Sequence, residues 1–219
     1  MKYVLVTGAY GGMGQETVKL LKNKGFTIFA LDKKVEVPEE NIIPIECDIT
    51  NEQSIIQAFN KIKNITNELM GIIHYAGIYM LDSLVEMDYE KFEKIFKINV
   101  FGAFLINKTF LPLLKKGSKI IMTTSELAPL DPLPFTGIYA ISKSALDKYA
   151  YSLRMELQLL GISVSVLRAG AVATNMLNVS RSELDDFCNN TKLYNCNAKR
   201  FKSIVDSVEA KKIDRKSVV

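Results

Sequence analysis

Six short runs of apolar, often β-branched residues recur along the chain, at Tyr3–Thr7, Phe26–Leu31, Ile42–Cys47, Gly71–Tyr75, Lys119–Thr123 and Ser163–Arg168. Runs of this length and character predict strands buried on both faces. Between most of them, Met13–Asn23, Gln53–Ile62, Tyr89–Leu114 and Tyr139–Leu160 carry apolar residues at helical spacing. Strand and helix alternate throughout, and a crossover between parallel strands needs a helix's worth of chain. The pattern therefore predicts an α/β fold with a doubly wound parallel sheet of the Rossmann type. Ala171–Asn197 is the least regular stretch and is read without a strand or long helix. In such folds, irregular chain after a strand's carboxyl end is where substrate binds. With no internal repeat and no Ser/Gly linker, residues 1–219 are expected to form a single domain.

Composition adjusts this picture little. The hydrophobic fraction of 48% and charged fraction of 24% are those of a globular chain. The net charge of +4 resides in a basic tail from about Ala198, where Lys199, Arg200, Lys202, Lys211, Lys212, Arg215 and Lys216 face Asp206, Glu209 and Asp214. A solvated helix face is the ordinary reading of such a tail, ahead of nucleic-acid or membrane contact. Cys47, Cys188 and Cys196 lack metal-ligand spacing and form an odd set, and His74 is the sole histidine, so neither a metal site nor a disulfide framework is expected. The chain opens directly on a strand-like run and has no apolar stretch of membrane-spanning length, which predicts a cytoplasmic protein without a membrane span. Triplets such as Asn64-Ile-Thr66 then have no glycosylation meaning.

The first strand runs into Thr7-Gly8-Ala9-Tyr10-Gly11-Gly12-Met13-Gly14 and then a helix. Gly8, Gly12 and Gly14 permit a tight turn, close approach of backbone to a pyrophosphate and tight helix–strand packing, while the helix N-terminus offers free N–H groups. Asp32 ends the second strand, placed to accept hydrogen bonds from both adenosine ribose hydroxyls or to serve as a plain turn residue. Its carboxylate would repel a 2′-phosphate, which favours NAD over NADP, although Lys33 and Lys34 stand by to offset it. Asp48, in Cys47-Asp48-Ile49-Thr50, suits both an N-cap of the next helix and an adenine contact.

Tyr139 and Lys143 are four residues apart and so share a helix face. A phenol with a pKa of about 10 is a poor base at neutral pH, but an ammonium and an oxidised nicotinamide nearby would lower it into use as a general acid/base. In a lysine-rich chain with nine tyrosines this spacing is worth little alone. Ser125 adds a hydroxyl at the carboxyl edge of the fifth strand, either as substrate holder or as turn residue. Asn99 interrupts an apolar helical face and must either satisfy backbone or hold a water linking Lys143 to solvent.

Taken in order, these residues resemble the short-chain dehydrogenase/reductase family in its single-domain form, over about Lys2 to Thr174. The resemblance implies hydride transfer between an alcohol and a carbonyl. Asn99, Ser125, Tyr139 and Lys143 would be the catalytic set: Ser125 would position the oxygen, Tyr139 exchange the proton, Lys143 bind the nicotinamide ribose and Asn99 complete a water relay. Cofactor contacts would come from Gly8, Tyr10, Gly12, Met13, Gly14, Asp32, Asp48, Ile49, Ala76, Gly77, Asn99, Tyr139, Lys143, Val172 and Thr174.

The chain departs from the family pattern in three places. Ala169-Gly170-Ala171-Val172-Ala173-Thr174 replaces a Pro-Gly-x-Val-x-Thr turn, and His74-Tyr75-Ala76-Gly77 replaces Asn-Asn-Ala-Gly. His74 is read as a satisfied buried histidine that takes over an asparagine's hydrogen bond, ahead of a catalytic base. The family's seventh strand and its helix are not foreseen, which leaves six strands and puts a tetramer in doubt. Tyr89–Leu114 and Tyr139–Leu160 remain faces for a homodimer, with Tyr151, Leu153, Met155 and Leu157 beyond what one core stripe needs. Leu127, Leu130, Leu133, Leu177 and Phe187 would give the substrate pocket an apolar character. The competing reading is a dinucleotide-binding sensor or scaffold without turnover.

Overall fold

The computed structural model of the chain describes the backbone of residues 2–170, 172 and 174–213, and their side chains except at 175, 177 and 208–213. Strands β1 (Tyr3–Thr7), β2 (Thr27–Asp32), β3 (Ile42–Glu46), β4 (Leu69–His74), β5 (Leu114–Ser125) and β6 (Ser163–Ala169) form a six-stranded sheet in the order β3-β2-β1-β4-β5-β6. Every pairing is parallel, with Val4 opposite Ile28 on one side and Gly71 on the other. The chain winds outward from β1 to β3 and then returns to β4, so the loops after β1 and β4 diverge. That divergence opens a crevice at the carboxyl edge of the sheet.

Period-two alternation decides which helices each strand meets. Leu5 joins Phe29, Leu31, Ile72 and Ile120 beneath α2 (Glu52–Lys63), α4 (Gly102–Phe110) and α5 (Gly137–Leu157), which contribute Ile55, Ile62, Ile106, Phe110, Leu146 and Ala150. Val4 and Val6 point to the opposite face and meet Val18 of α1 (Gly12–Asn23), with Ile28, Ala30 and Ile73. Full burial of each large aliphatic or aromatic side chain is worth about 1.5–3 kcal/mol. Asn51 caps α2 by accepting the Ser54 N–H at 3.1 Å, and Lys61 and Lys63 in the last turn complement the helix dipole.

Three expectations change. The helix read over Tyr89–Leu114 is α3 (Tyr89–Phe96), a π turn over Lys97–Phe101, α4, and a 3-10 turn over Leu111–Leu113, with Leu114 already in β5. The π turn falls where Asn99 needs partners that an unbroken apolar face could not give it. The stretch Ala171–Asn197, read as irregular, holds α6 (Asn175–Asn190) and the start of α7 (Asn195–Ile213). The apolar stripe of α6 is narrow, at Leu184, Phe187 and Cys188, in a helix otherwise rich in Asn, Ser and Asp, which favour caps and turns. On α5, Leu157 is buried and Leu153 packs against the core, which leaves Tyr151 and Met155 as the exposed members of the expected outward face.

The basic tail lies largely on α7, with Ala198, Phe201 and Val205 turned inward and Lys199 and Arg200 exposed. Lys202 bridges Asp185 at 2.5 Å and Asp206 at 3.6 Å. The α6–α7 pair is seated on Phe135, whose ring meets Phe187, Tyr194 and Phe201 at centroid distances of 4.3, 5.0 and 5.2 Å. Phe135 holds a φ of 65°, an unusual conformation for a bulky residue. Glu86 fastens the turn between these helices, accepting from the Thr191 hydroxyl and from the Lys192 and Leu193 amides at 2.7, 2.8 and 3.0 Å. Side chains of Leu177, Glu209, Lys211 and Lys212, and all of Asp214, Arg215 and Lys216, lie outside the described residues. Among the described residues, no helix is long and apolar enough to cross a membrane.

Candidate active site

The glycine turn leaves β1 through Gly8 at a φ of 65°, and a Cβ there would collide with the Ala76 backbone. A Cβ on Gly14 would strike the Gly8 carbonyl oxygen, so this glycine keeps α1 close to the turn. Gly11 sits at the N-cap without a side-chain acceptor, and the first turn of α1 has no acidic residue. The first-turn amides, at Gly12 and Met13 among others, are thus left for an anion at the positive end of the helix. A dinucleotide's pyrophosphate fits this cradle. Thr174, after β6, reaches across so that its methyl group abuts the position a Gly12 Cβ would fill, while its amide bonds the Val172 carbonyl at 2.8 Å.

Asp32 is tied to the same turn. One carboxylate oxygen accepts the Tyr10 amide at 3.1 Å and the other the Lys33 amide at 2.8 Å. Tyr10 therefore serves the site through its backbone, while its ring packs toward the α1-side core. Asp48 is not the cap of α2, a correction to the capping alternative; Asn51 takes that place. Asp48 instead accepts the Thr50 amide and hydroxyl at 2.9 and 2.7 Å and pairs with the Lys33 ammonium at 2.8 Å. Burial raises its pKa, but Lys33 and Thr50 more than offset this and hold it below the usual carboxylate value. Lys33, expected to temper Asp32, is committed to Asp48. Ile49 packs its side chain on Gly102 at the start of α4.

At the chemical end, Gly77 sits against two site residues: a Cβ there would lie 3.2 Å from Asn99 Oδ1 and 3.3 Å from Lys143 Nζ. Asn99 is 1% exposed. Its Oδ1 accepts the Ile78 amide at 2.8 Å, and its Nδ2 donates to the Ile78 carbonyl and to Ser142 Oγ, each at 3.0 Å. The Asn99 side chain satisfies the Ile78 backbone, one of the two roles read for it, and also bonds Ser142. Ser142, buried and bonded to the Tyr139 carbonyl at 2.8 Å, went unnoticed in the sequence because nothing in its spacing signals a partner 43 residues away.

Ser125 Oγ accepts the Leu127 amide at 3.2 Å and lies within hydrogen-bonding reach of the Tyr139 phenol. Lys143 Nζ donates to the Thr123 carbonyl at 3.2 Å and stands 5.8 Å from the Tyr139 ring centroid. Burial pushes the Lys143 pKa down to about 8. Burial also pushes Tyr139 up, only partly countered by Ser125, so the expected lowering of the phenol by the ammonium is not present in this geometry. The Tyr79 ring packs on Tyr139, with ring centroids 4.9 Å apart.

His74 belongs to a different network. Its Nε2 lies 2.9 Å from Asn107 Oδ1, and Asn107 Nδ2 donates to Tyr149 Oη at 3.3 Å, so the imidazole donates. Burial lowers its pKa to about 4, and a ring neutral at pH 7 and facing α4 acts as a tie between β4 and that helix. Of the apolar residues expected at a pocket, Leu127 packs beside Tyr139, Leu130 and Leu133 are exposed, and Phe187 is buried in the Phe135 cluster.

Residues 2–185 match the family described as short chain dehydrogenase. The chain is 33% identical over 191 residues to the uncharacterized oxidoreductase YbbO of Escherichia coli K12, covering 84% of this chain and 71% of that one. It is 32% identical over 189 residues to mouse estradiol 17-beta-dehydrogenase 2, covering 80% of this chain but only 49% of the relative, so it spans about half that protein's length. A crystal structure of a short chain dehydrogenase family protein from Francisella tularensis superposes with a TM-score of 0.77 at 30% identity, covering 87% of this chain and 76% of the other. With the glycine turn, the parallel sheet and the Asn99, Ser125, Tyr139 and Lys143 cluster in one crevice, the chain belongs to the short-chain dehydrogenase/reductase family.

Proposed function

We propose that this chain is an NAD-dependent oxidoreductase that interconverts an apolar alcohol and its carbonyl, as one domain. The observation that carries the reading is the convergence of the Tyr139 phenol, the Ser125 hydroxyl and the buried Lys143 ammonium, the last beside Gly77. A nicotinamide dinucleotide, when bound, supplies or takes up the hydride. Ser125 and Tyr139 bracket the substrate oxygen, Ser125 orienting it and Tyr139 giving or taking its proton. Lys143, its pKa lowered by burial to about 8, is charged at neutral pH and stands 5.8 Å from the centre of the Tyr139 ring. Asp32 with Lys33 drawn to Asp48 supports NAD over NADP, since among the described residues no ammonium is paired with the Asp32 carboxylate to receive a 2′-phosphate.

The apolar alcohol is supported by Tyr79 and Leu127 beside Tyr139 and by the name of the mouse relative, which acts on estradiol. A homodimer through α4 and α5 is supported by exposed Phe101, Phe104, Tyr151 and Met155. The test combines NADH fluorescence on titration with a panel of aliphatic, steroid-like and sugar alcohols. Wild type should reduce NAD with an apolar member, and Tyr139→Phe should lose about 10²–10⁴-fold in kcat with NADH affinity nearly unchanged. Tight NADH binding with no turnover on any alcohol would replace this reading with the sensor.

A further inference from the structure

The helix that carries Tyr139 and Lys143 has a third residue on the same face. Tyr139, Lys143 and Asp147 occupy successive turns of α5, and each meets the carboxyl half of β5. Tyr139 reaches Ser125, Lys143 the Thr123 carbonyl, and Asp147 Oδ1 accepts the Thr124 hydroxyl at 3.1 Å. Asp147 goes further and takes a two-pronged bond from β6, with Arg168 Nε donating to Oδ1 at 3.0 Å and Nη2 to Oδ2 at 2.8 Å. Thr124 and Arg168 are register partners in the sheet, so one carboxylate grips neighbouring positions of two strands. Such a forked pair fixes orientation as well as distance.

We propose that Asp147, through Arg168 and Thr124, is a positioning residue for Lys143, setting the height of α5 on the sheet. A one-residue slide of a helix moves it about 1.5 Å along its axis. That displacement would break the 3.2 Å bond from Lys143 to Thr123 and carry the ammonium away from Asn99 and Gly77. The lysine does not anchor itself strongly, because its stem is flexible and its bond is to a carbonyl. The groups that face its ammonium are the Tyr139 phenol from α5, the Asn99 amide from the π turn and the Thr123 carbonyl from β5. Asp147 is the charged group one turn along.

The inference rests on the proposed function only in taking Lys143 to be a residue whose position matters for turnover. The experiment therefore has one readout independent of activity. Full-length protein labelled with [13C]lysine is titrated by NMR, the Lys143 Cε signal being assigned by its absence in Lys143→Met. Alongside, kcat and KM are measured for Asp147→Asn, Arg168→Gln, the double variant and the conservative Arg168→Lys. Asp147→Asn and Arg168→Gln should each move the Lys143 midpoint by at least half a pH unit toward the exposed-lysine value and lower kcat roughly tenfold, with the alcohol KM within about twofold. The double variant should be no worse than either single one, and Arg168→Lys should recover part of kcat.

An unchanged Lys143 titration with kcat within about twofold of wild type would overturn the inference. So would losses in kcat that follow melting temperature alone while the lysine signal stays in place. If wild type turns over no alcohol, the functional reading fails, and the lysine titration still decides whether Asp147 positions Lys143.

Discussion

Replacing Lys143 by Met should make the protein more stable at neutral pH while abolishing turnover. Lys143 is 5% exposed, and burial takes its pKa from the ordinary 10.5 to about 8. At 1.36 kcal/mol per pH unit, that difference is a penalty of roughly 3 kcal/mol on the charged form in the folded state. A depressed lysine pKa means that the folded protein releases the proton first. Between about pH 8 and 10.5 the unfolded chain therefore holds more protons, and wild-type stability rises with pH across that window. Below about pH 8 the penalty is fully present.

Met fills much of the same volume without the charge, although the bond to the Thr123 carbonyl is lost, an effect of about 1.5 kcal/mol for a charged donor. A net gain of roughly 1–2 kcal/mol at pH 7 remains, or about 2–8 °C in Tm for a chain of this size. Urea denaturation of both proteins at about pH 7, 8.5 and 10 measures it, and the advantage of the variant should shrink steadily as pH rises. A variant less stable than wild type at pH 7, by an amount that does not change with pH, would refute the reasoning. The lost activity would mark Lys143 as a residue kept for chemistry at the expense of stability.

Two further outcomes follow from the ion pairs and caps. Asp48→Asn should release Lys33 from its 2.8 Å bridge and leave it beside Asp32, narrowing the preference for NADH over NADPH by about threefold to tenfold in paired fluorescence titrations. Glu86 is held below the usual carboxylate value by the Thr191 hydroxyl first, then by the Leu193 and Lys192 amides, so its support of the α6–α7 turn is present above the ordinary glutamate value and is lost as pH falls through the lowered one. Protection of the Lys192 and Leu193 amides, measured by hydrogen exchange against their intrinsic rates, should fall as the pH drops below the ordinary glutamate range, while amides of β1 stay protected.

What the sequence made legible followed the range of each interaction. The run Tyr3–Thr7 coincides with β1 because its apolar residues stop at Gly8, where the backbone must turn left-handed. The glycine turn, Ser125 at the end of β5, and Tyr139 and Lys143 one turn apart are all local patterns, and the fold brings them into one crevice. Interactions across long separations left no such mark. Glu86 meets Thr191 from 105 residues away, and Asp147 meets Arg168 from 21. Asp48 reads as a cap of α2 from the local sequence, but Lys33 and Thr50 engage it, and Asn51, directly before the first residue of the helix, caps α2 instead. The polar helix α6 hid because its composition favours turns and its burial depends on rings supplied by Phe135 and α7.

The seating of α6 and α7 bears on how this protein can change over generations. Their hold on the rest of the molecule is concentrated in the Phe135 ring, Leu81 and Tyr79 of the same cluster, and the Glu86 carboxylate. Tyr139, Lys143 and Ser125 are secured separately, by α5 and the sheet. Substitutions on the exposed side of α6 can thus accumulate without moving Tyr139, Lys143 or Ser125, so this pair of helices can diverge while the cluster on α5 and the sheet is inherited intact.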